Sequence, residues 1–94
     1  MDESHPNRVL SRILALIEQR LDEEAGMRRD MADYGLPERL QRDYARGAVA
    51  GFVYAASMAR DYALDHDVDD PRLLRHLSGM VARADAQLDT GRQR

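Results

Sequence analysis

Thirteen consecutive residues, Gly47 to Ala59 (GAVAGFVYAASMA), carry no charge in a 94-residue chain that is 33% charged. The run holds no proline, and the residues around it do not alternate with period two. The whole chain has only five valines, two isoleucines and one threonine. Those features favour a helix over a strand. A helix that is apolar nearly all round must be covered on more than one side. The run is too short to span a bilayer, which takes about 20 apolar residues. The stretch therefore reads as the central helix of an all-α bundle.

The flanking sequence completes that picture as three helices. Helix one is expected over about residues 7–33, with Ser4, Pro6 and Asn7 at its start and Leu10, Ile13, Leu14, Ile17 and Leu21 as its buried stripe. Glu24 and Arg28 continue that stripe, so either they pair or the helix re-phases at Gly26. Tyr34-Gly35-Leu36-Pro37 ends it, with Gly35 suited to a left-handed terminal position. Helix two is expected over about 38–65. Asp70-Pro71 caps helix three, expected over about 71–89 with Leu74, Leu77, Val81, Ala84 and Leu88 inward, and residues 90–94 form a frayed tail. The length suits one domain, 1–94.

On helix two, Gly47, Gly51, Ala55, Ala59 and Ala63 recur every four residues. Glycine inside a helix costs about 1 kcal/mol relative to alanine, so two on one face suggest close approach of another helix. Leu40, Tyr44, Ala48, Phe52, Met58 and Tyr62 share that broad face, which is read as the core side. The opposite side holds Val49, Ala50, Val53, Ser57 and Leu64, framed by Arg42, Arg46 and Arg60. Uncharged residues there call for a further neighbour. A small domain without disulfides commonly gains burial from a second subunit, and this chain has no cysteine. The expected assembly is thus a homodimer, with a protein partner of unspecified identity as the other occupant. Its interface residues are Tyr44, Gly47, Val49, Gly51, Val53, Tyr54, Arg60 and Tyr62, since tyrosine and arginine are enriched in such contacts.

Other functions have less support. The net charge is −3, and all 14 basic residues are arginine. Arg28, Arg29, Arg39, Arg42 and Arg46 cluster at the turn between helices one and two and form the alternative nucleic-acid patch of a dimeric helical regulator. Asp30, Asp33, Glu38 and Asp43 interleave with them, five arginines against four acids leaving +1, whereas a DNA reader shows a cleaner basic stripe. Asp65, Asp67 and Asp69 have the one-three-five spacing of a calcium loop, but Asp70 and His76 stand where that loop needs Gly and Glu. No Walker loop, GxGxxG, nucleophile elbow or paired Glu-x-x-His is present. The expectation is a non-enzymatic chain without cofactor or metal. The acidic start MDESHPNR is unlike a signal peptide, so a soluble cytoplasmic protein is expected.

A short all-helical chain with an RGxxxGxxYA pattern on its central helix (Arg46, Gly47, Gly51, Tyr54, Ala55) resembles small accessory proteins of phages and mobile elements. The sequence thus points to an adaptor, inhibitor or assembly component that acts through a helical surface.

Overall fold

A computed structural model describes residues 5–92 as three α-helices: α1 (Pro6–Asp33), α2 (Glu38–Asp65) and α3 (Pro71–Arg92). The fold is all-α, as its patterning predicts. The helix ends follow from local chemistry. The His5 ring accepts from the Asn7 backbone N–H at 3.2 Å, and Pro6 occupies the first turn, where its missing N–H costs nothing. At the other end of α1, Gly35 adopts φ 68°, the Gly35 N–H donates to the Ala32 carbonyl and the Leu36 N–H to the Met31 carbonyl. That pair of bonds is the Schellman motif, which a left-handed glycine makes possible. Asp70 caps α3, its Oδ1 accepting from the Arg72 N–H at 2.9 Å.

Two local expectations change. Residues 90–92 continue α3 instead of fraying, while 93 and 94 lie outside the described residues, as does Ser4. Glu24 pairs with Arg20, at 3.0 Å, and not with Arg28, while α1 runs unbroken through Gly26. The Glu24 side chain is 13% exposed, so its partner stands one turn back and reaches in from the surface. That hydrogen bond, together with Glu24's charge, pushes the already high pKa of Arg20 upward.

Packing is centred on α2, against which both α1 and α3 lie, while α1 and α3 touch each other far less. The core joins Leu10, Leu14 and Ile17 of α1 to Phe52, Ala56 and Ala59 of α2 and Leu77, Met80 and Ala84 of α3. Each set recurs at three- and four-residue spacing, so each helix offers one inward stripe. The first half of α1 thus meets the second half of α2. Beyond them, none of residues 22–47 is buried, and this part of α1 and α2 forms a two-helix arm. The Cα radius of gyration is 15.5 Å, against about 12 Å for a compact chain of this length, with extents of 49 × 30 × 17 Å.

One polar clamp closes the wide end. Asn7 Nδ2 donates to Asp69 Oδ1 at 2.7 Å, and Asn7 Oδ1 accepts from the Asp69 N–H at 3.1 Å. The start of α1 is thereby tied to the loop between α2 and α3. Asn7→Ala should lower unfolding stability by about 1 kcal/mol, given the modest net worth of exposed hydrogen bonds. Urea titration of both proteins measures this, and an unchanged midpoint would show the clamp to be dispensable.

Candidate functional site

Rotation of α2 about its axis decides which residues are available to a partner. Phe52 is its bulkiest apolar side chain and marks the inward direction. Phe52, Ala56 and Ala59 are buried, and Val53, Ala55, Tyr62 and Ala63 pack against them. Three- and four-residue steps from Phe52 keep Ala56, Ala59 and Ala63 on that side. The outward side carries Leu40, Gly47, Ala50, Gly51, Tyr54 and Met58, all exposed. Tyr54 is 68% exposed and Met58 55%.

This orientation corrects the expected faces. Of the expected repeat, Gly47 and Gly51 are not on the core side: a Cβ built at either meets nothing within 4 Å. Ala55, Ala59 and Ala63 do face the core. Leu40 and Met58 also leave the core side. Val49, Val53 and Ser57 move the other way and are half-buried, and of that outer window Ala50 and Leu64 stay exposed. The physical reason is area. Turning Phe52 and Val53 inward removes far more apolar surface from water than turning two glycines inward. Small residues do line the helix seam, but they are Ala56 and Ala59.

The expected interface residues accordingly divide. Gly47, Gly51 and Tyr54 share the outer face, whereas Tyr44, Val49, Val53 and Tyr62 are half-buried. Tyr62 stacks on His66, with ring centroids 4.0 Å apart. Arg60 is exposed and stands 4.0 Å from Asp61. Met58 and Leu40 join the outer face, a placement that centring the helix on Phe52 instead of on the glycine repeat would have found.

Charge bounds the outer face at both ends. Between residues 38 and 50, Arg39, Arg42 and Arg46 stand against Glu38 and Asp43, leaving +1. Between 56 and 67, Arg60 stands against Asp61, Asp65 and Asp67, leaving −2 with histidine neutral. No charged residue lies between Arg46 and Arg60.

Arg28, Arg29, Arg39, Arg42 and Arg46 are all exposed, and none forms an ion pair among the described residues. Arg28 and Arg42 share a shallow recess with Glu38, Gln41 and Ala45. Asp30, Asp33, Glu38 and Asp43 are exposed as well, so the mixed sign persists in space. Elsewhere, Glu18 Oε1 lies 3.3 Å from His76 Nε2 and 3.6 Å from Arg83 Nη1, joining α1 to α3. The Arg83 guanidinium also sits 5.6 Å above the Phe52 ring. These contacts give Arg83 and His76 structural roles.

Among the described residues, no three His, Asp or Glu side chains are grouped so as to hold a metal ion. No helix there is long and apolar enough to cross a membrane. No protein-family model, curated protein or solved structure matches this chain.

Proposed function

We propose that this chain is a small non-enzymatic protein-binding module, an adaptor, inhibitor or assembly component, whose binding surface is the outer face of α2 and which self-associates there. The observation that carries the reading is the exposure of Tyr54 and Met58 on a strip without charge. Single exposed apolar residues are ordinary, but here several follow one another along one helix face. Tyrosine and methionine are also enriched at interfaces. The exposed arginines at the end of the arm would suit a nucleic-acid-binding regulator, but the acids among them favour the protein-binding reading.

Native mass in solution tests it, for wild type and for Tyr54→Arg. Tyr54 points away from the core, so the variant should lose self-association while keeping the wild-type melting temperature at concentrations where both are monomeric. Wild type that stays monomeric, or a variant that associates as wild type does, would remove the basis for the reading. Val53→Arg is unsuitable, since Val53 packs against the core and its loss would report folding.

A further inference from the structure

We infer that the occupant of this face is a second copy of the chain laid antiparallel, with Tyr54 over the partner's Gly51 and Met58 over the partner's Gly47. The inference rests on the self-association reading above and adds orientation and register to it. Gly47, Gly51, Tyr54 and Met58 lie within one narrow arc of α2, since steps of four, three and four residues return to the same side. Each glycine leaves an open notch on the helix surface, with no atom near a would-be Cβ. Each large side chain projects from the same arc into solvent.

One register fits both knobs into both notches. The Gly51–Tyr54 and Gly47–Met58 pairs share a midpoint, halfway between Phe52 and Val53. A two-fold axis there forms both contacts twice, the self-complementarity that a symmetric dimer requires. In that register Asp61 falls level with the partner's Tyr44, in a stretch where the partner's Arg42 and the partner's Arg46 flank the partner's Asp43. Asp65 falls level with the partner's Leu40, beside the partner's Arg39. The C-terminal half of α2, where Arg60 stands against Asp61 and Asp65 to leave −1, thus covers the half with charge +1. A parallel pairing would instead set Asp61 on Asp61 and Asp65 on Asp65, and it would align the helix dipoles.

The chain has no cysteine, so one spin label can be placed cleanly at Glu38→Cys, at the exposed start of α2. In the antiparallel dimer the two labels stand about 40 Å apart, from 1.5 Å rise per residue. In a parallel dimer they stand about 20 Å apart or less. The partner experiment is sedimentation of Gly51→Leu, which fills the notch without touching the core. It should melt no lower than wild type at concentrations where both are monomeric, and weaken dimerisation by at least about tenfold. A dimer with the short distance leaves self-association standing and overturns the antiparallel arrangement. A dimer with the long distance that tolerates Gly51→Leu overturns the register. Wild type that is monomeric at the highest concentration reached overturns both this inference and the reading it rests on.

Discussion

Leu14→Ala should lower the unfolding free energy by about 3 kcal/mol, within the range for buried leucine truncations. Leu14 is 1% exposed and belongs to a core to which all three helices contribute. Deleting its branched end removes transfer free energy and leaves a cavity that α1 can fill only by shifting against both neighbours. A domain this small has total stability on the order of 5–10 kcal/mol, so the variant should approach unfolding near physiological temperature. Urea unfolding followed by circular dichroism gives the number. Leu16→Ala is the control, because Leu16 faces solvent and should cost under about 0.5 kcal/mol. Equal effects at the two positions would mean that α1 does not turn the face described here toward α2.

The second large effect separates two kinds of small residue on α2. Ala59 has no exposed surface, and enlarging it to leucine should cost about 3 kcal/mol or more, as overpacking forces the helices apart. Gly51 is exposed with free space at its Cβ position, and Gly51→Ala should raise monomer stability by up to about 1 kcal/mol through helix propensity alone. Both are measured by denaturation at concentrations low enough to keep the chain monomeric. Opposite signs are expected. A destabilising Gly51→Ala together with a neutral Ala59→Leu would place the glycine stripe in the seam and invert the orientation of α2.

Local sequence signals were legible where the chemistry is local. Gly35 takes the left-handed position because the turn after α1 requires one, and Asp70 caps α3 because it precedes Pro71 and α3's unpaired N–H groups. The α1 stripe was legible too, since bulky Leu10, Leu14 and Ile17 stand out against the charges around them. On α3 the reading was partial: Leu77 and Ala84 are buried, but Met80 replaces Leu74 and Leu88, which sit at the exposed margin.

For α2 the periodicity was ambiguous, and so was the candidate site. With no charge between Arg46 and Arg60, the polar side that orients an amphipathic helix is missing, and the glycine repeat offered a false axis. The sequence by itself determined three helices, their ends apart from the last turn of α3, and the inward side of α1, because caps, turns and amphipathic contrast act over a few residues. Only the tertiary structure decided that α2 turns Phe52, Ala56 and Ala59 inward and leaves Gly47, Gly51, Tyr54 and Met58 in solvent. That choice depends on the area buried against α1 and α3 together, a sum over contacts between residues far apart in the chain.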